Sequence, residues 1–172
     1  ILSGMNLAFL GYYAVGIVFP YKDLYHWPDG VWAKKISKFK KIPGRELLKN
    51  ILLPKRIKKI IVIGNLSKKS FNYLNNRFKL EIENIKLPYG EIKKIKKKII
   101  LPRNTLTLIT LPTPKQEQYA YYLSTINKYY NIICIGASVS IASGEEKEVP
   151  KILYNYEFLW RLKSDFFRRS KR

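Results

Sequence analysis

Few residues in this chain can do chemistry. It holds three aspartates, Asp23, Asp29 and Asp165, one histidine, His26, and one cysteine, Cys134. A protein metal site needs clustered His, Cys or carboxylate ligands, and a single His with a single Cys makes a zinc site improbable. No Asp-x-Asp pair exists to hold a divalent ion on a diphosphate. The chain has no G-x-G-x-x-G and no Walker loop. A Ser-His-Asp hydrolase would have to use His26, and no G-x-S-x-G elbow is present.

A metal-free site remains, built from isolated carboxylates, amides and cations. Asp29 stands in "YHWPDGVW" (25–32). It could take a proton from a substrate hydroxyl as a general base. Pro-Asp-Gly is also a common turn sequence, so the residues alone leave both readings open. Gln116 and Glu117 could serve a site, or simply open a helix, where the dipole favours an acid. Arginines and lysines could neutralise a departing diphosphate in place of a metal.

The elements that must position these groups show in the hydrophobic pattern. "KIIVIGN" (59–65), "TLTLITLP" (105–112) and "NIICIGAS" (131–138) read as buried strands. Helical patterns separate them: "LSKKSFNYLNNRF" with Ser67 as cap, and "KQEQYAYYLSTINKYY" from Lys115. "PGRELLKNILL" (43–53) reads as a helix opened by Pro43. Ile92, Ile95 and Ile99 form one apolar stripe of a further amphipathic helix. This alternation predicts an α/β fold: a Rossmann-like, mostly parallel sheet with helices on both faces. Ligands in such sheets sit beyond the carboxyl ends of the strands. The turns to watch are therefore Gly64-Asn65, Pro112 to Glu117, and Gly136-Ala137-Ser138.

The ends of the chain differ from its middle. No charge occurs before Lys22. Gly, Ser, Asn and Pro dilute that opening, so it reads as a buried strand plus helix rather than a membrane span. It lacks the basic start and cleavage site of a signal peptide. Without an initiator Met, the N-terminal edge of the domain is expected to be missing. We expect a domain over 1–149 and a basic helical appendage over 150–172. In that appendage Ile152, Tyr156, Leu159 and Phe166 recur at helical spacing among Arg161, Arg168, Arg169, Lys171 and Arg172. Such a helix suits a membrane interface, or packs on the sheet with a solvated basic end.

Lys and Arg number 33 against 12 Asp and Glu, for a net +21. That surface attracts phosphates, whether on nucleic acid, lipid headgroups or sugar nucleotides. An AT-biased coding sequence, also rich in Ile, Asn and Tyr, would raise lysine without any such role. Cys134 has no cysteine to pair with inside the chain. At 47% hydrophobic the sequence can build a real core.

Four segments, taken in order, resemble the WecG/TagA/CpsF family of bacterial glycosyltransferases. They are "PDGVW" (28–32), "KKIPGRELL" (40–48), "TPKQEQY" (113–119) and "GASVSIASGEEKEVP…YEFLWRLKSDFFRRSKR" (136–172). The Pro-Lys-Gln-Glu run and the Glu-x-x-x-Arg-Leu of the tail are the most specific parts. The resemblance implies a Rossmann-type domain with a basic C-terminal appendage. It implies inverting, metal-independent transfer of an N-acetylmannosamine-type or related sugar. The donor is a UDP-sugar and the acceptor a polyprenyl-diphosphate lipid, in surface polysaccharide or teichoic acid-type synthesis. No cofactor and no nucleic acid are expected. The implied location is cytoplasmic, at the inner face of the membrane.

Carried over residue by residue, the resemblance makes Asp29 the catalytic base. Asn6, Lys41, Gly90, Gln116, Glu117 and Ser140 form the substrate-binding set. Arg161, Arg168 and Arg172 meet the acceptor diphosphate or the membrane. The chain departs from the family pattern in several places. Gly4 replaces a Thr, Lys41 an Arg, Ser140 an Asp and Glu148 an Arg, and Thr110 and Pro112 stand where glycines are usual. Two other readings follow from these departures and from the charge. One is a catalytically weak or inactive relative that binds or scaffolds; the other is a basic nucleic-acid-binding domain.

Overall fold

The computed structural model describes residues 1–17, 23–30, 39–88, 90, 99–147, 149, 150 and 152. The stripe positions Ile92 and Ile95, Glu148, and the tail with Arg161, Arg168 and Arg172 lie outside the described residues.

Among the described residues, six strands make one sheet: β1 (Leu2–Met5), β2 (Tyr25–Pro28), β3 (Lys59–Ile63), β4 (Glu81–Ile85), β5 (Thr105–Ile109) and β6 (Asn131–Cys134). Their order is β2-β1-β6-β5-β3-β4, and every neighbouring pair is parallel. Among the described residues, five helices connect them: α1 (Leu7–Ala14), α2 (Gly44–Asn50), α3 (Lys68–Phe78), α4 (Lys115–Ile126) and α5 (Ser138–Ala142). The expected α/β fold with helices on both faces is the fold observed.

The core strands are largely apolar because both faces are covered, with Thr105 and Thr107 of β5 as buried polar exceptions. In β3, Ile60 and Val62 face one cluster with Leu48 of α2, Leu74 of α3 and Val139 of α5. Ile61 and Ile63 face the other, with Tyr119, Ala120 and Leu123 of α4. Leu106 and Leu108 of β5 and Ile133 of β6 join the first cluster; Ile109, Ile132 and Cys134 join the second. Ile99 is buried in that second cluster too.

The opening strand and helix are formed by 1–14 as anticipated. The other elements fall within the expected segments but are shorter, because polar and proline-bearing ends peel off as loops. α4 stops at Ile126, where Asn127 is extended and gives its N–H to Leu123 O. Ser67 caps α3, accepting from Ser70 N at 3.1 Å. Two strands went unread in the sequence, and both are edges. β2 ends on Pro28, which an edge tolerates. β4 is charged on its open side, where Glu81 and Glu83 both bind Lys59 Nζ at 2.7 and 2.8 Å.

Candidate active site

At the carboxyl ends of β1, β2, β6, β5 and β3 lies a cleft of about 470 Å³. Its wall includes Asn6, Trp27, Asp29, Arg45, Asn65, Gln116, Gly136, Ser140 and Glu146. Asp29 and Gln116, 87 residues apart in the chain, thus share one cavity. Pockets of roughly 300–1,000 Å³ suit small-molecule ligands.

Asp29 follows β2 and rests on β1. A Cβ added to Gly4 would lie 3.0 Å from Asp29 Cβ and 3.1 Å from Oδ2, and 3.0 Å from the Trp27 ring. The space that any side chain at position 4 would need is therefore occupied by the aspartate and the tryptophan. Trp27 is fixed in turn, its Nε1 donating to Ile42 O at 3.1 Å. Asn6 is the N-cap of α1, accepting from Phe9 N at 3.1 Å. With Oδ1 committed to that cap, the group Asn6 can offer the cleft is its amide NH2.

The opposite wall is made by the first turn of α4 and the β6–α5 turn. Gln116 is 4% exposed. Its Oε1 accepts from Gly136 N at 2.9 Å. Its Nε2 donates to Glu117 Oε1 at 2.7 Å and to Thr113 Oγ1 at 3.0 Å. Glu117 is fully buried and lies beneath the wall rather than on it. Its Oε1 also accepts from Ser3 Oγ at 2.8 Å and Thr113 Oγ1 at 3.4 Å. Burial pushes its carboxyl above the usual range, against the lowering effect of these hydrogen bonds.

Lys41 and Gly90 do not line the cleft. Lys41 precedes Ile42, whose N–H donates to Pro28 O at 2.8 Å beside the end of β2. Gly90 O accepts from Lys115 Nζ at 2.7 Å, on the outer flank of α4. Ser140 does line it, and its carbonyl accepts the N–H groups of Glu145 and Glu146 at 2.9 and 3.0 Å.

Sequence reasoning passed over Arg45. It is 3% exposed and is the only cation among the described lining residues. The signal was its place one residue after Pro43-Gly44. A Cβ on Gly44 would overlap Ser138 Oγ. That glycine lets the start of α2 close on α5 and so carries Arg45 into the cleft. Cys134 lines the floor but is buried, and burial raises its thiol well above the usual value, so it is no ready nucleophile. His26 does not line the cleft; its ring packs on Phe9 at 4.5 Å. Among the described residues, no group of three or more His, Cys, Asp or Glu could hold a metal ion, and no helix is long and apolar enough to cross a membrane.

Two comparisons with known proteins bear on this geometry. The family model for the glycosyl transferase WecG/TagA/CpsF family matches residues 27–172. No curated protein matches the chain.

Proposed function

The chain belongs to the WecG/TagA/CpsF family, which implies a glycosyltransferase of cell-surface polysaccharide synthesis, and on that premise we propose an inverting, metal-independent transfer from a UDP-sugar to a lipid-linked acceptor hydroxyl. The observation that carries this reading is the convergence of Asp29 and the Gln116 turn on one cleft at the carboxyl rim of the sheet.

The reaction is a single displacement. Asp29 takes the proton of the acceptor hydroxyl, and that oxygen bonds to the anomeric carbon from the face opposite UDP. The bond from carbon to the diphosphate oxygen breaks, and UDP leaves with the electron pair. Arg45 and the backbone N–H groups of Leu7 and Ala8 at the start of α1 supply positive ends for the diphosphate. Holding donor and acceptor in line supplies much of the acceleration. The sugar is of the N-acetylmannosamine type or a relative. Arg161, Arg168 and Arg172 are assigned to the acceptor diphosphate and the membrane's inner face, on the resemblance alone.

A panel of UDP-sugars, with membranes as acceptor, tests the proposal. One sugar should be turned over, and Asp29→Asn should abolish turnover while UDP still binds. Unchanged turnover in that variant removes Asp29 from the mechanism. Pro112 in the cleft wall favours a second reading, a binding-only relative, because proline offers a phosphate no N–H. Saturable UDP binding with no transfer from any donor would select it.

A further inference from the structure

Beneath the cleft, one carboxylate oxygen gathers three separate parts of the chain. Glu117 Oε1 accepts from Ser3 on β1, from Thr113 in the loop after β5, and from the Gln116 amide on α4. Gln116 passes the constraint to a fourth part through its bond from Gly136 N at 2.9 Å. The direction of this chain is fixed by chemistry. A backbone N–H can only donate, so Gln116 must turn its carbonyl oxygen to Gly136 and its NH2 to the carboxylate. Both N–H bonds of Gln116 are then used, on Glu117 and Thr113.

Ser3 neighbours Gly4, on which Asp29 rests, whereas Gly136 belongs to the facing wall. We propose that Glu117 is a positioning residue: it touches no substrate, and it sets the placement of the Gln116–Gly136 wall relative to the β1 floor under Asp29. The inference rests on the glycosyltransferase reading for its catalytic consequence, but not for its structural one. Glu117 is fully buried and absent from the cleft lining, so it has no face toward the cleft from which to act directly. Buried polar networks of this kind are rigid only when their members stay bonded.

The test compares Glu117→Ala with Glu117→Gln. The glutamine keeps a carbonyl oxygen for all three donors, removes the charge and puts an NH2 in the buried place of Oε2. In Glu117→Ala, Gln116 loses its anchor, leaving the Gly136 amide with its longer bond to Ile109 O at 3.2 Å. The Gly136 amide resonance should therefore shift and exchange faster in the alanine variant, and stay near its native position in the glutamine one. For the donor turned over by the wild type, Glu117→Ala should lose roughly a hundredfold in kcat, the scale of about 1 Å of misplacement, with a smaller change in KM. Glu117→Gln should return kcat to within about tenfold of wild type. If Glu117→Ala does not fold, Ser3→Ala removes the β1 tether alone and should lower kcat in the same direction. A native Gly136 amide in Glu117→Ala overturns the inference whatever the protein's activity. So does a folded Glu117→Gln as inactive as Asp29→Asn, since that marks a chemical role for the charge. Absence of any donor turnover in the wild type refutes the functional reading instead, and the amide measurement then decides the inference by itself.

Discussion

The Asp29 side chain lies on the bare Cα of Gly4, at a separation that leaves no room for a Cβ: the added atom would stand 3.0 Å from Asp29 Cβ and 3.1 Å from Oδ2. Any side chain at position 4 must move the aspartate or the Trp27 ring. Gly4→Ala and Gly4→Thr are thus expected to cost about 1–3 kcal/mol of stability, the range for overpacking a filled site. Turnover should fall further than UDP affinity, because the displaced group is the one we propose as base and not the donor's anchor. Chemical denaturation and steady-state kinetics on the same preparations check both halves. A Gly4→Thr protein as active as wild type would show that Asp29 can work from another position.

Arg45 supplies the cleft's positive charge among the described residues. Its replacement by Ala should weaken UDP binding by about 1.5–3 kcal/mol, the range for hydrogen bonds to charged groups. Arg45→Lys should recover only part of this, since an ammonium cannot reproduce the two-pronged contact of a guanidinium with a phosphate. Calorimetric titration with UDP measures it, and thermal melts exclude unfolding as the cause. Equal UDP affinity in wild type and Arg45→Ala would move the diphosphate away from this wall.

On the cleft's outer side, Glu145 closes the end of α5 onto the start of α3. Its Oε2 accepts from Ser67 Oγ and, at 2.8 Å, from Ser70 Oγ, while Lys69 Nζ donates to Gly144 O at 2.8 Å. The carboxylate also sits at the positive end of α3. Glu145→Ala should therefore destabilise the fold by about 1–2 kcal/mol, as lost caps and charged hydrogen bonds do. The urea midpoint should fall with its slope unchanged. An unshifted midpoint would mean that the clasp contributes nothing in solution.

The buried strands β3, β5 and β6 were legible because continuous apolar runs between helical patterns have one economical packing, a covered parallel sheet. Ser67 was legible as a cap because its local bond needs only the next turn. The edges were not. β4 reads as a charged loop until Lys59 of β3 is known to stand opposite Glu81. β2 hides behind Pro28 and His26, and its four residues gain their meaning from the register Gly4↔Trp27. For the site, the parallel-sheet rule pointed to the turns at Pro112–Glu117 and Gly136-Ala137-Ser138, which do line the cleft, whereas Ser140 and the role given to Asp29 come from the family resemblance. Arg45 could not be named beforehand, since an arginine followed by a glutamate on a helix reads as solvated surface. Its burial depends on Gly44 meeting Ser138, a contact of distant segments. Glu117 read as a first-turn acid for a similar reason. Its partner Ser3 is 114 residues away.

His26 and Glu117 flank Ser3 and should make stability depend on pH with opposite signs. Burial lowers the imidazole below its ordinary 6.5, only partly offset by a hydrogen bond with the Ser3 backbone. Its Nδ1 is buried without a hydrogen-bond partner among the described residues, so the fold holds the neutral ring. The unfolded chain then binds this proton more readily than the native one. Stability from His26 is whole above pH 6.5 and is lost as pH falls through the lower native value. For Glu117 the native carboxyl is raised above 4.5, so the native state holds the proton longer. Its contribution is whole below pH 4.5 and is lost as pH rises through the native value. His26→Phe should therefore flatten the acid side of a stability profile measured by denaturant at fixed ionic strength. Glu117→Gln should flatten the decline that begins as pH rises above 4.5. The chain's single imidazole also gives an isolated proton resonance, whose titration midpoint should fall below 6.5. A midpoint above 6.5 would mean that the ring is paired with a charge in solution rather than packed against Phe9.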